Sequence, residues 1–279
     1  MLLRNLTIGY PSRQIAADIN LHLEAGRLTC LIGENGVGKS TLLRTLSGFL
    51  PPIAGDILID FDSGSGLGFS FSSVSKSESE SVSKSESVSK PEPEPKPEPK
   101  PRHSLYQLSP KTLSRQIAVV LTDRLNLQNT TVRELVSMGR MPYTGFFGRL
   151  SAEDKAIVDE CMQTVGVDGE RTVNTLSDGE RQKAMIARAL AQQTRYIFLD
   201  EPTAFLDYPS KLRTMETLKK LARDFNKTIF LSTHDIEIAL NTADTLVMME
   251  RDGVKTGTPK IRNHEKTLSF TSRDLLVEC

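Results

Sequence analysis

The stretch GENGVGKST, residues 33–41, follows the short apolar run LTCLI and leads into a helix-like segment. It fits the pattern G-x-x-x-x-G-K-[ST], in which glycines let successive backbone N–H groups turn toward a phosphate. In this pattern the lysine adds a positive charge and the following hydroxyl ligates Mg²⁺. The pattern predicts a nucleoside-triphosphate site formed by Gly33, Glu34, Asn35, Gly36, Val37, Gly38, Lys39, Ser40 and Thr41.

Strand-like and helix-like segments alternate along the chain outside this loop. Further strands are predicted at 55–60, 115–121, 195–201, 227–235 and 245–249. Helices are predicted at 131–140, 151–166, 176–190 and from about Pro209, the second with Ser151 as its N-cap and Asp154 three residues on. Mostly apolar strands alternating with helices favour an α/β fold, in which both faces of a parallel sheet are covered.

The composition narrows the class of protein. Lys plus Arg and Asp plus Glu number 35 each, so no overall field would draw the chain to nucleic acid or to an anionic membrane. No stretch reaches the roughly 18 consecutive apolar residues of a spanning helix. The three cysteines, Cys30, Cys161 and Cys279, are few and widely spaced, which fits a reducing cytosol rather than a disulfide framework.

One region differs in composition from the rest. From Ser75 to Pro101 every second residue is Ser or Pro, and the only apolar side chains are Val82 and Val88. Such a segment buries too little to offset the entropy of ordering. We therefore predict a disordered Ser/Lys/Glu/Pro insertion over about 61–103 and assign it no function.

Two adjacent carboxylates end the apolar run YIFLDE. Asp200 is placed to hold Mg²⁺, directly or through water, and Glu201 is then the candidate that polarises the attacking water. His234 follows the run TIFLST, which should lie beside the strand that ends at Asp200. The predicted catalytic residues are Glu201, His234 and Lys39, and the predicted metal ligands are Ser40 and Asp200.

The stretch LSDGERQKAMIARAL, residues 176–190, starts as a helix with a capping box formed by Ser177 and Glu180. Its predicted inward face holds Met185, Ile186, Ala189 and Leu190. Capping does not explain Gly179, because glycine within a helix costs roughly 1 kcal/mol relative to alanine. A bare backbone and a serine hydroxyl at a helix N-terminus are suited to a phosphate, so the stretch predicts a second anion site.

In their order along the chain, GENGVGKS, LSDGE, YIFLDE, AFLD and His234 resemble the motifs of nucleotide-binding subunits of ATP-binding cassette (ABC) transporters. The resemblance implies a single domain over 1–279 with the P-loop NTPase ABC ATPase fold. That fold has a RecA-like, mostly parallel core, an antiparallel β subdomain and an inserted α-helical subdomain, here at 123–190. It also implies ATP and Mg²⁺ as cofactors and ATP hydrolysis as the reaction.

The same resemblance explains why one chain would carry two phosphate sites. In this family two copies sandwich two ATP molecules head to tail, and the signature motif of one copy meets the γ-phosphate held by the other. The signature here would be Ser177, Asp178, Gly179 and Glu180. The usual family motif is L-S-G-G-Q, so Asp178 and Glu180 depart from it while Ser177 and Gly179 match.

Three further positions follow from the resemblance alone. Tyr10 falls where an aromatic ring stacks on adenine, although it is equally suited to packing. Asp207 falls in the D-loop, which crosses the interface between the two copies. Thr122 occupies the Q-loop position, where the family usually has a glutamine that senses Mg²⁺ and the γ-phosphate.

The segment VRELVSMGRMPYTGFFGRLSAEDKAIVDECMQTVGV resembles ATPases that serve importers of iron–siderophore complexes, haem and cobalamin. This implies an integral membrane permease as partner, a substrate-binding protein as an indirect one, no nucleic acid, and a peripheral location on the cytoplasmic face of the inner membrane. Tyr143, Phe146 and Phe147 are either the patch that receives the permease's coupling helix or core of a small subdomain. The alternative function is a soluble, non-transport ABC ATPase of cluster assembly or DNA maintenance.

Overall fold

The computed structural model describes residues 1–60, 102–121, 129–145, 147–250, 253–262 and 265–270. The strands in these ranges are β1 Leu2–Tyr10, β2 Arg13–His22, β3 Leu28–Ile32, β4 Ala54–Asp60, β5 Arg102–Ser104, β6 Ile117–Val120, β7 Tyr196–Leu199, β8 Thr228–Ser232, β9 Thr245–Glu250, β10 Gly253–Arg262 and β11 Glu265–Phe270. The α-helices are α1 Lys39–Leu46, α2 Pro110–Gln116, α3 Val132–Ser137, α4 Ala152–Val165, α5 Asp178–Ala191, α6 Tyr208–Asp224 and α7 Ile236–Thr242.

The larger sheet has the strand order β11-β10-β9-β3-β8-β7-β6. The five strands from β9 to β6 run parallel, and β10 and β11 add an antiparallel edge. Every residue of β3, β7 and β8 is buried, as expected for central strands with both faces covered. Because these strands are parallel, their carboxyl ends meet at one edge, which brings the loops after Ile32, Leu199 and Ser232 together.

The smaller sheet is antiparallel, with the order β2-β1-β4-β5. It packs over α1 and one face of the larger sheet, where an apolar cluster includes Leu6, Leu42, Leu46, Phe198 and Phe230. The ring of Phe198 meets that of Phe230 edge to face, with 6.1 Å between centroids. This sheet is the antiparallel subdomain that the family resemblance implied.

Helices α3, α4 and α5 pack together on the other face of the larger sheet. The predicted N-cap of α4 is confirmed, since Ser151 accepts a hydrogen bond from the Asp154 N–H and Asp154 bonds back to the Ser151 N–H. Thr131 and Ser177 cap α3 and α5 in the same way. Of the predicted inward residues of α5, Ile186, Ala189 and Leu190 are buried, and Met185 packs partly buried against the same core.

Two element boundaries differ from the sequence prediction. Residues 115 and 116, predicted in a strand, end α2, because Ser109 caps that helix and Pro110 occupies its first position. The helix predicted over 131–140 is α-helical only to Ser137 and continues as a 3₁₀ helix over Met138–Tyr143.

The predicted insertion at 61–103 lies largely outside the described residues. Its last two positions, Arg102 and His103, belong to β5, which pairs with β4. The first residues of the predicted helical subdomain, 123–128, also lie outside the described part of the chain. Within the described ranges, no helix has the length and apolarity needed to cross a membrane.

Candidate nucleotide-binding site

The P-loop, residues 33–41, joins β3 to α1 at the carboxyl edge of the larger sheet. Gly38 precedes α1 with φ of 118°, and a Cβ there would lie 2.4 Å from Ile15 Cγ2. A Cβ on Gly33 would lie 2.5 Å from the Met249 carbonyl oxygen. Only glycine fits at these two positions, so packing as well as backbone conformation fixes the course of the loop.

Lys39 reaches back across the loop that it ends. Its Nζ donates hydrogen bonds to the carbonyl oxygens of Gly33 at 2.7 Å and Glu34 at 3.0 Å. The residue is only 6% exposed, so a positive charge is held against the concave side of the backbone. A charge in this position is suited to phosphate oxygens, which can replace the two carbonyls as acceptors.

A cavity of about 610 Å³ opens over the P-loop. Its volume lies within the range of small-molecule and cofactor sites. Its lining residues are Arg13, Gln14, Ile15, Glu34, Asn35, Gly36, Val37, Gly38, Lys39, Ser40, Thr41 and Glu201. The structure thus brings most of the predicted P-loop residues, Gly33 excepted, together with the predicted catalytic carboxylate around one space.

Hydroxyl and carboxylate groups meet at the floor of this site. Asp200 Oδ1 accepts hydrogen bonds from Ser40 Oγ at 3.2 Å and from Ser232 Oγ at 2.6 Å. The Asp200 N–H donates to the Val120 carbonyl at 2.8 Å, which fixes the carboxylate where β7 ends. Oxygen donors of this kind are the ligands that Mg²⁺ prefers, so Ser40 and Asp200 fit the predicted metal-binding role.

Glu201 and His234 face each other at the end of β7 and β8. Glu201 Oε2 lies 3.5 Å from His234 Nδ1. The Glu201 backbone has a left-handed φ of 46° and its N–H donates to Ser232 Oγ at 2.9 Å. The Thr233 N–H donates to the Leu31 carbonyl, which continues the ladder between β8 and β3 and places His234 beside the P-loop strand. The two predicted catalytic side chains therefore lie within reach of one bound water.

The signature residues form a site of their own. Ser177 and Glu180 make the predicted capping box, with Ser177 N and Oγ both donating to Glu180 Oε2 at 2.9 Å and 2.8 Å. A Cβ built on Gly179 finds its nearest neighbour, Leu206 Cδ2, 4.0 Å away, so nothing described in the chain requires glycine there. Among the described residues, those that line the P-loop cavity include none of positions 177–180.

The remaining predicted positions lie around these two sites. Asp207 is the N-cap residue of α6, where hydrogen bonds from Ser210, its side chain first, hold the pKa of the Asp207 carboxyl below its ordinary value. Tyr10 is 39% exposed and pairs across the β1–β2 turn with Arg13, but only Arg13 of this pair lines the cavity. Thr122 lies outside the described residues. The adenine-stacking role of Tyr10 and the Q-loop role of Thr122 stay predictions.

Sequence reasoning missed four residues of the site. Arg13, Gln14 and Ile15 line the cavity because the β1–β2 turn bends over the P-loop. Ser232 links the Asp200 carboxylate to the Glu201 backbone. No motif marked the first three residues. Ser232 could have been found, because it lies two positions before His234 in a strand predicted beside β7, and the register of that strand places it near Asp200.

The segment predicted to dock a permease divides into a buried and an exposed part. Tyr143 is partly buried, with the Arg140 guanidinium 4.1 Å from its ring centroid and the Arg115 guanidinium 4.9 Å away. Its hydroxyl donates to the Gln192 carbonyl at 3.0 Å. Phe147 is 83% exposed, and Phe146 lies outside the described residues. Tyr143 therefore packs within the subdomain, whereas the side chain of Phe147 is exposed.

Comparison with known proteins identifies the family. Residues 16–204 match the family described as ABC transporter. The chain is 36% identical to an uncharacterized ABC transporter ATP-binding protein of Methanocaldococcus jannaschii, over 90% of this chain and 73% of that protein. It is 30% identical to the achromobactin transport ATP-binding protein of Dickeya dadantii, over 92% and 81%, and 34% identical to a petrobactin import ATP-binding protein of Bacillus anthracis, over 84% and 72%.

Solved structures agree in fold. A nucleotide-free ATP-binding cassette from an ABC transporter superposes with a TM-score of 0.70 at 18% identity, covering 93% of this chain and 91% of the other. A dimeric, post-hydrolysis cassette bound to ADP and inorganic phosphate gives 0.66 at 22% identity, covering 92% and 97%. The chain belongs to the ABC transporter family, is an ATPase and binds ATP, so the predicted fold and family are confirmed.

Proposed function

We propose that this chain is the ATP-hydrolysing subunit of a membrane importer for an iron complex, a siderophore or haem, or for cobalamin, and that it works as a pair of identical copies. The main support for the pairing is that the chain has two separate sites. One is the P-loop cavity, and the other is a capped helix outside it, where a Cβ on Gly179 would meet no close neighbour. Two copies placed head to tail would close each cavity with the other's signature. A dimeric relative in fold supports this arrangement.

The reaction follows from the side chains around the cavity. Lys39 exchanges its two carbonyl acceptors for phosphate oxygens, which positions the γ-phosphate. Ser40 and Asp200 would hold Mg²⁺, which when bound offsets the charge of the phosphates. Glu201 accepts a hydrogen bond from the attacking water, and His234 orients the carboxylate from 3.5 Å away.

The pairing is tested with Glu201→Gln, which keeps the shape of the site and removes the group that polarises water. With ATP and Mg²⁺ the variant should sediment as a stable dimer in analytical ultracentrifugation and lose nearly all ATPase activity. Glu216→Gln, at an exposed glutamate on α6, is the matched control and should behave like the unchanged protein. A Glu201→Gln protein that stays monomeric with Mg²⁺-ATP would refute the two-copy site.

The importer role is supported by the relatives. Two relatives are named for achromobactin transport and petrobactin import, and further relatives are named for iron(3+)-hydroxamate import, ferric enterobactin transport and cobalamin import. In this proposal the transported molecule would not touch this subunit. It would pass from a substrate-binding protein through a permease, with this chain held at the cytoplasmic face of the inner membrane.

A surface on the helical subdomain fits the permease. Met138 and Met141 lie three residues apart in a 3₁₀ helix, so their side chains share one face, and they are 43% and 60% exposed. Phe147, six residues after Met141 in the chain, is also exposed, and we call these three side chains the Met-Phe surface. Exposed apolar side chains rich in methionine are typical of surfaces that bind a partner helix.

The permease is sought by mild-detergent affinity purification of the tagged protein from native membranes. A multi-span membrane protein should be retained with the unchanged protein and lost with Phe147→Ser. Phe49→Ser, at a residue that is also strongly exposed but lies after α1, should retain it. Soluble partners alone, with no membrane protein, would instead favour a non-transport ABC ATPase.

A further inference from the structure

Glu180 replaces the glutamine that is usual in the signature motif, and both of its carboxylate oxygens are engaged. Oε2 accepts hydrogen bonds from the N–H and the hydroxyl of Ser177, at 2.9 Å and 2.8 Å. Oε1 accepts from Nη1 of Arg171. The bonds to Ser177, backbone first, and then the pairing with Arg171 lower the pKa of Glu180, so it is ionised at neutral pH.

The Ser177 hydroxyl has a single proton, and that proton is committed. It is donated to Glu180 Oε2, while the hydroxyl oxygen accepts from the Glu180 N–H at 3.3 Å. Ser177 therefore cannot donate to a phosphate until it turns away from the carboxylate. An ionised carboxylate beside an arriving phosphate also repels it, an obstacle that a glutamine would not present.

Arg171 is fixed where it offsets this charge. Its Nη2 donates to the Thr175 carbonyl at 2.8 Å, in the turn that leads into α5. Its own carbonyl accepts from the Val132 N–H at 2.9 Å, which ties it to the start of α3. The guanidinium is thus held between the base of the helical subdomain and the signature helix rather than swinging freely in solvent.

We propose that Glu180 competes with the γ-phosphate of the partner-bound ATP for the Ser177 hydroxyl, and that Arg171 is the positioning residue that neutralises and restrains Glu180 so that the phosphate can enter. This inference rests on the proposed two-copy site and adds a means of regulating how tightly that site closes. The ion pair sets how tightly the signature of one copy closes on the ATP of the other. A chain with glutamine at this position would close more readily.

The test uses the full chain with Glu201→Gln, so that hydrolysis does not interfere. The dissociation constant of the dimer is measured by sedimentation at saturating Mg²⁺-ATP. Adding Glu180→Gln should tighten the dimer roughly tenfold, the size of one charge–charge interaction at a partly exposed site. Glutamine preserves the capping box, so the thermal midpoint should stay unchanged. Adding Arg171→Ala should weaken the dimer several-fold, and Arg171→Lys should restore most of the loss.

Three comparisons separate this role from a structural one. The double change Arg171→Ala with Glu180→Gln should match Glu180→Gln alone, because arginine is no longer needed once the charge is gone. Arg133→Ala removes an arginine paired with Asp159 and Glu170 on the same subdomain and should leave the dimer unchanged. Raising the salt concentration should shrink the gain from Glu180→Gln, since charge repulsion is screened.

Each contrary result has one meaning. A Glu180→Gln dimer that is no tighter, with the Glu201→Gln dimer intact, refutes the role of Glu180 and leaves the two-copy site standing. A double variant much weaker than Glu180→Gln alone means that Arg171 touches the nucleotide itself, which overturns its neutralising role. If the Glu201→Gln protein never dimerises, the two-copy site fails and this inference falls with it.

Discussion

Replacing Gly179 with alanine should change stability and activity in opposite directions. Gly179 is the second residue of α5, and a Cβ there would have 4.0 Å to its nearest neighbour. Alanine favours a helix over glycine by roughly 0.5–1 kcal/mol, and no clash opposes that gain. We expect the free energy of unfolding to rise by about 0.5 kcal/mol and the thermal midpoint to rise by roughly 1 °C.

In the proposed two-copy site, the added methyl group would occupy the space through which the partner's γ-phosphate approaches the helix N-terminus. ATP-dependent dimerisation should therefore weaken at least roughly tenfold, and ATPase activity should fall with it, since a phosphate displaced from its donors forfeits a charge-assisted hydrogen bond. Binding of ATP to a single copy should be unchanged, because Gly179 does not line the P-loop cavity. Urea unfolding, sedimentation and a fluorescent ATP analogue measure the three quantities on one preparation.

Gly139→Ala is the contrasting variant. A Cβ there would lie 2.3 Å from the Arg188 carbonyl oxygen, so alanine should destabilise the protein by at least about 1 kcal/mol. If Gly179→Ala is stabilised and hydrolyses ATP at the normal rate, no phosphate approaches that backbone. If it is destabilised like Gly139→Ala, the glycine serves packing, and its functional role in our reasoning is wrong.

Three further outcomes test the energetics and the insertion. Arg140→Ala should lower the free energy of unfolding by about 3–5 kcal/mol in urea, because it leaves Asp154, 12% exposed in its side chain, without its ion-pair partner at 2.8 Å; a loss under about 1 kcal/mol would show that water reaches the pair. Burial lowers the pKa of Lys227 from 10.5 to about 8, so the unfolded chain binds more protons between those values and stability should rise from pH 8 to 10.5. Lys227→Met should abolish that rise and be more stable at pH 7 by roughly 2 kcal/mol, and an unchanged pH profile would contradict the shift. Deleting residues 72–101 should leave ATPase activity and the thermal midpoint nearly unchanged, and a large loss of either would mean that the segment packs or signals.

The parts of the fold that sequence predicted best are those in which local and tertiary signals agree. The P-loop pattern, the apolar runs of β7 and β8 and the capping boxes of α4 and α5 each combine a motif with a matching period. At residues 115 and 116 the local and tertiary signals disagree. We predicted them as the start of a strand because they directly precede the apolar run that begins at Ile117. These two residues are helical instead, because Ser109 caps α2 and the fixed φ of Pro110 starts it upstream of the apolar run.

The residues of the site also divide into those that could be predicted from the sequence and those that could not. Asp200, Glu201 and His234 could be placed from sequence because parallel strands bring their carboxyl ends to one edge. Arg13 and Ile15 could not, because their approach to the P-loop depends on how one sheet sits over the other, which no local pattern encodes. Tyr143 was ambiguous for a related reason: its two guanidinium neighbours come from segments 28 and 3 residues away in the chain, and only the fold brings them to the same ring.

The contacts around Tyr143 also determine where the boundaries of a chimeric protein can be placed. Arg115 lies over its ring from the end of α2, and Gln192 Nε2 donates to the carbonyls of Ser114 and Ile117, so the helical subdomain interlocks with residues that precede it in the chain. A chimera that exchanges only the helices α3 to α5 between relatives would separate the two halves of this joint. An exchange that starts before α2 would carry both halves together and keep the subdomain seated on its sheet.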